Sequence, residues 1–184
     1  MILLCTFRVI KHFDGYRIMI INKCWIGLKF FPINGLLNLY GMGILVGDTR
    51  YFSAYDGSGY ELWAHDTSNA STWQVADIRS GAGGSFPGEY MQILVGDTLY
   101  FSASGGSGGT ELWAHDTSNA STWRVADIYS GTSDSNPGEH TAILVGDTIY
   151  FDADDGSSGR ELWAHDTSNA STWRVTDIRS GAVG

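Results

Sequence analysis

Three kinds of side chain recur in this chain at spacings that invite chemistry. The dipeptide His-Asp appears as His65-Asp66, His115-Asp116 and His165-Asp166. An imidazole beside a carboxylate is the raw material of acid–base catalysis or of a metal site, provided both groups reach one point. On a strand, successive side chains leave opposite faces, so the two do not cooperate within one copy. What remains is a ring of histidines gathered from several copies, or histidines used in packing or left to solvent.

The string Asp152-Ala-Asp154-Asp155-Gly156, running on to Glu161, has the oxygen-rich look of a calcium loop. It misses the EF-hand pattern, because glycine falls at the fifth position and the closing glutamate at the tenth. Asp152, Asp154 and Asp155 stay as candidates for a weak calcium site only, with Asp-Gly turn chemistry as the alternative; no other cofactor is expected. The corresponding stretch of the first copy holds Asp56 alone, and the second has no acid before Glu111. The third pattern is Asn-Ala-Ser at Asn69, Asn119 and Asn169, each an acceptor triplet for N-glycosylation and equally an ordinary Asx turn.

All three patterns belong to a larger unit that must position them. The string ELWAHDTSNASTW occurs unchanged at Glu61, Glu111 and Glu161, and ILVGDT opens each copy at Ile44, Ile93 and Ile143. A fixed period near fifty residues means one supersecondary unit repeated. Within a copy, ILVGDTLYFSA (93–103) reads as two short strands about the Gly96-Asp97 turn. After a Gly/Ser-rich connection, ELWAHD (111–116) and TWRVADI (122–128) read as a second pair joined by TSNAS. No helical periodicity competes. Each copy is therefore a four-stranded antiparallel meander of the length of a propeller blade.

The second strand of the unit is apolar on both faces in copies two and three, with Tyr100 between Leu99 and Phe101 and Tyr150 between Ile149 and Phe151. Such strands lie between neighbouring layers, as in stacked blades. In the first copy Arg50 replaces that leucine, as an array end without a preceding blade allows.

The string ELWAHDTSNASTW, preceded by a Tyr-Phe-Ser-Ala strand and a Gly-rich loop and followed by Val-Ala-Asp-Ile, resembles the ELWxxDGT-type bacterial repeat and, more loosely, the kelch motif. The resemblance covers residues 44–178. Asp66-Thr67 stands where that family has Asp-Gly-Thr, and Ser53-Ala54 where kelch has a double glycine. It implies a β-propeller and no single activity. The fold expected is all-β: tandem four-stranded antiparallel blades (44–92, 93–142 and 143–184) forming a partial, three-blade propeller behind a non-repeat N-terminal segment, 1–43. Propellers close with about four to eight blades, so further blades or another chain are expected to complete the ring. The sequence stops at Gly184, where a connection into another blade would run.

The loops of the three copies differ at one end only. The turns within ILVGDT and HDTSNAST are identical, whereas the loops joining strands two and three differ, as do those leading from one copy to the next. All variation thus gathers on one face, either by drift or because that face recognises something. The residues that would carry recognition are Tyr55, Asp56, Tyr60, Tyr90, Thr110, His140, Asp154, Asp155 and Arg160.

Of 20 acids and 11 basic residues, the first segment takes Asp14 with Arg8, Lys11, Arg17, Lys23 and Lys29. The repeats keep nineteen acids against six arginines and hold no lysine, a field that repels phosphate backbones, so nucleic acid is not an expected partner. Neither cysteine, Cys5 or Cys24, falls in the repeats; a bridge between them would need an oxidising compartment. Segment 1–43 contains no apolar run long enough to span a membrane and no clean signal peptide; a diverged blade, a poor leader or anchor, and misread sequence remain open. The expectation for the whole is a non-enzymatic extracellular or cell-surface module binding a protein or glycan. The alternatives are a structural envelope or matrix array, and a hydrolase or lyase on a propeller scaffold.

Overall fold

The computed structural model describes residues 43–178 in full and, before them, the backbone of two strands, β1 (Cys5–Phe13) and β2 (Tyr16–Cys24). The chain divides into two compact units, Met1–Asn38 and Leu39–Gly184. In the first unit β1 and β2 pair antiparallel, and their register sets the Cys5 backbone opposite that of Cys24. The thiols and the nature of the remaining N-terminal residues lie outside what is described.

The second unit contains three four-stranded antiparallel sheets, one per copy. The first is β3 (Ile44–Val46), β4 (Thr49–Tyr55), β5 (Tyr60–Asp66) and β6 (Ser71–Ala76). The second is β7 (Gln92–Val95), β8 (Thr98–Ser104), β9 (Thr110–Asp116) and β10 (Ser121–Ala126). The third is β11 (Ala142–Val145), β12 (Thr148–Asp154), β13 (Arg160–Asp166) and β14 (Ser171–Thr176). In each, neighbours in sequence are neighbours in space, as the expected meander requires. Strands β7 and β11 begin one residue before the expected limits of their copies.

Alternation along each second strand decides how sheets stack. Leu99, Phe101 and Ala103 of β8 point to the first blade and meet Tyr51, Leu62 and Ala64. Tyr100, between them, points the other way and joins Leu112 and Ala114 against Ile149, Phe151 and Ala153 of the third blade. The two cores are thus one design used twice. Among the described residues, the middle blade is covered on both faces, and the first and third blades each on the face turned toward it.

The connections between blades are stitched by backbone. The N–H groups of Ser85 and Phe86 donate to the Tyr60 carbonyl, Gly88 N donates to the Ser102 carbonyl, and Ser104 N donates to the Ser85 carbonyl. The next connection repeats these bonds through Ser135, Asn136, Gly138 and Asp154. Such close approach leaves no room at Gly109, where φ is +67° and an added Cβ would run into the Ser133 carbonyl oxygen. Gly96, at φ +58°, has nothing within 4 Å of that position. Gly109→Ala is expected to cost about 1–3 kcal/mol, well above the penalty at Gly96, where only the backbone conformation is unfavourable. Urea melts of the two variants decide this; equal losses would mean the loop has room to give.

Candidate functional site

Among the described residues, the histidine and aspartate of each His-Asp pair are engaged separately. His115 and His165 are buried between blades, where each ring lies against a tyrosine of the preceding sheet: Tyr51 at 5.4 Å and Tyr100 at 5.2 Å. Each Nδ1 is hydrogen-bonded to a threonine, Thr122 or Thr172, at 2.8 Å. Burial holds both imidazoles below their usual range, against the opposing pull of Asp116 and Asp166. The aspartates face away and close the turns. Asp66 Oδ1 accepts from Ser68 N and Oγ, Asp66 Oδ2 accepts from Asn69 Nδ2, and Asn69 Oδ1 accepts from Ser71 N. Asn119 and Asn169 repeat the pattern, so each acceptor amide is exposed but engaged by an aspartate. The middle blade's Gly105-Gly106-Ser107-Gly108-Gly109 spells a Gly-x-Ser-x-Gly elbow, yet it joins strand to strand. The strand-to-helix turn that exposes such a serine is therefore missing.

The aspartates proposed for calcium do not converge. Asp152 Oδ1 accepts from the backbone N–H of His140 and Thr141, and Oδ2 from Arg160 at 2.8 Å. Burial disfavours its charge, but Thr141, His140 and Arg160 outweigh that and hold the carboxyl below its ordinary value. Asp154 accepts from Gly156 N. Asp155 accepts from Ser157 and Ser158 and pairs with Arg174 at 3.1 Å. Among the described residues no group of three His, Cys, Asp or Glu side chains is placed to hold a metal.

The residues singled out for recognition separate into two groups at the variable end. On the third blade, Arg160 ties Asp152, Glu139 and the Asn136 carbonyl together, and His140 Nδ1 lies 3.0 Å from Asp152. Asp152 fills the place of Ser102, whose Oγ accepts from Tyr90 N and Met91 N in the preceding connection. This charged cluster is therefore a reinforced stitch. Thr110 has the same duty, its N–H bound by Asp134 and its carbonyl by Ser135 and Asn136.

The second group is of another kind. On the first blade Tyr55 and Tyr60 lie with ring centroids 5.4 Å apart, and Phe86 stacks on Tyr60 at 5.3 Å with 27° between planes. All three are open to solvent, at 61%, 43% and 45% exposure. Asp56 stands beside them, kept ionised by hydrogen bonds from the Ser58 side chain, Ser58 N and Gly59 N. Phe86 has φ +48°, a left-handed backbone that a bulky side chain adopts at a cost of about 1–3 kcal/mol. The same position of the next connection is Asn136, φ +45°, a residue that tolerates this conformation.

Sequence reasoning passed over Phe86, whose partner Tyr60 is remote in the chain. It also passed over Glu61 and Glu111. These carboxylates are buried, pair with no basic side chain among the described residues, and accept from backbone and serine: Glu61 from Ile78 N and Ser85, Glu111 from Ile128 N, Tyr129 N and Ser135 Oγ. Glu161, which ends the acidic string of the third copy, is also buried and accepts from Ile178 N. Burial, only partly opposed by these donors, raises Glu111 to about 7.

No family model matches the chain. No curated protein matches it either. Among solved structures it is similar to puromycin hydrolase, at 13% identity and a TM-score of 0.52, over 73% of this chain and 19% of that one. A serine-to-alanine mutant of puromycin hydrolase complexed with PGG gives 12% identity and a TM-score of 0.51, over 73% and 20%. TolB from Acinetobacter baumannii aligns over 70% of this chain and 29% of its own at 18% identity, with a TM-score of 0.44. The chain thus spans about one fifth of the length of the hydrolase. Likeness at this identity shows fold alone: the three sheets are blades of β-propeller type.

Proposed function

We propose that this chain is a non-enzymatic binding module that presents the Tyr55–Tyr60–Phe86 shelf to a neutral glycan. The observation that carries the reading is the strained Phe86 backbone beneath an exposed, stacked ring. Backbone strain is retained where the surroundings impose it, and it gathers at ligand sites. Adjoining aromatic faces offer an apolar platform to the C–H face of a sugar ring, and Asp56 offers acceptors to its hydroxyls. The burial of His115 and His165 against tyrosines supports a role in packing for them, rather than in proton transfer. The acidic repeats and their Ser/Thr/Asn-rich turns fit a surface or secreted setting, where a protein ligand is the second candidate and a matrix array the third. The likeness of ELWAHDTSNASTW to the ELWxxDGT repeat supports kinship with that bacterial family. A tagged protein found wholly in the cytosol, with no surface or secreted pool, removes this setting.

Calorimetric titration with neutral oligosaccharides of glucose, mannose and galactose tests the ligand. Tyr60→Ala is expected to weaken binding at least tenfold with the fold intact. Phe86→Asn, which copies the residue at the same place in the next connection, is expected to weaken binding while raising stability by about 1 kcal/mol, because strain is relieved. Binding unchanged in both variants means that the shelf is not the site.

A further inference from the structure

The third blade exposes an apolar face whose counterparts in the first two blades are covered. Ile143 and Val145 are each 57% exposed, Val175 lies open on the same sheet, and Ile178 lies open just past its last strand. Their equivalents in the first blade, Ile44, Val46, Val75 and Ile78, pack against the second blade, and those of the second blade pack against the third. Tyr150 and Leu162 complete the face and are half-buried, whereas Tyr100 and Leu112 of the covered middle blade are buried. At the other end of the array the first blade presents the opposite half of the same contact. Phe52, Ala54, Trp63 and His65 stand where Phe101, Ala103, Trp113 and His115 meet the preceding sheet, and all four are half-buried.

We propose that these two faces are a docking pair for a second copy of this chain, so that two three-blade arrays close head to tail into one six-blade ring. Both halves of the contact are already used, in this orientation, at the two junctions inside the chain; the new junction continues an existing interface. Contiguous apolar side chains left to water mark an interaction site. Head-to-tail contacts close into a ring when the rotation per unit allows it, and closed propellers hold about four to eight blades. Six is the only multiple of three in that span.

One residue departs from the interior junction. Arg50 replaces Leu99, and its guanidinium carbon lies 5.6 Å from the centre of the Phe52 ring. Its methylenes can cover apolar surface while the charged head reaches water, giving a weaker junction than those inside the chain. This proposal is independent of the glycan reading.

Light scattering on the full chain across a dilution series tests it. The expected mass is twice the 20.0 kDa of one chain, with no larger species. Val145→Glu on the last blade and Ala54→Arg on the first are each expected to weaken association at least tenfold, with unchanged far-ultraviolet circular dichroism. An equimolar mixture of the two restores one sound junction and should recover an open dimer. Arg50→Leu recreates the interior contact and should tighten the ring at least several-fold. A monomer at every concentration overturns the proposal, as does growth beyond two chains. An association that Ala54→Arg leaves untouched also overturns it, because that outcome means the two last blades meet each other.

Discussion

Phe101→Ala should cost about 3–5 kcal/mol, enough to remove a large part of the stability of a domain this size. Phe101 is 1% exposed and lies between the first two blades, touching the core that holds Tyr51, Leu62 and Ala64. Truncation leaves a cavity whose walls belong to two rigid sheets, so little collapse can offset the lost contacts. The same truncation at Phe52, which is half-buried on the face of the first blade turned away from the second, should cost less than half as much in dilute monomer. Phe151, buried between the second and third blades, should match Phe101. In an array whose units touch only neighbours, weakening one junction separates the melting of the parts. Phe101→Ala should therefore convert a single urea transition into two, the first blade melting before the rest. Equal losses at Phe52 and Phe101 would show that the blades do not stack as described.

The second large effect concerns pH. Glu111 is fully buried and burial raises its folded value to about 7, from 4.5 in an exposed chain. Between these limits the folded state holds a proton that the unfolded state has lost. Its stabilising contribution is complete below pH 4.5 and is lost as pH rises toward 7, by about 3 kcal/mol over the window. His115 and His165 act with opposite sign. Their folded values lie below 6.5, so their contribution is complete above pH 6.5 and falls away as pH drops. The turn aspartates Asp66, Asp116 and Asp166 start from 3.8 and are lowered, which places their effects below this window. From pH 4.5 to 6.5 the two contributions therefore oppose each other in wild type, and just above pH 6.5 only the decline from Glu111 remains. Glu111→Gln removes the declining limb and leaves stability rising toward pH 6.5. Denaturant titrations at pH 5, 6 and 7.5 compare the two slopes; parallel profiles would show that Glu111 does not carry the proton.

What could be read from residues alone was whatever depends on near neighbours. Tyr100 between Leu99 and Phe101 announces a strand covered on both faces, and the sheet obeys. Asp66, Ser68, Asn69 and Ser71 lie within six positions, and their turn follows from short side chains that bond to adjacent backbone. Strand alternation separates His115 from Asp116, and the ring duly meets Tyr51 while the carboxylate closes its turn. What escaped depends on distance along the chain. Glu61 finds its donors at Ile78 and Ser85, so the glutamate opening ELWAHD reads as an ordinary polar start to a strand. Tyr60 and Phe86 come together only because Ser85 and Phe86 hang from the Tyr60 carbonyl. The partners of the third copy's acidic string likewise come from other strands: Arg160 pairs with Asp152 and Arg174 with Asp155. In the fold Asp152 ties a loop down, through the N–H groups of His140 and Thr141 and through Arg160.

Because one set of residues makes every junction, the count of sheets is not itself specified by interface chemistry. A duplication or loss of one fifty-residue segment would leave each remaining contact chemically unaltered, as would splicing in a segment from another copy. Architecture of this kind can lengthen or shorten in whole steps without first inventing a compatible neighbour. Curvature would then limit the tally, since the last sheet must still reach the first.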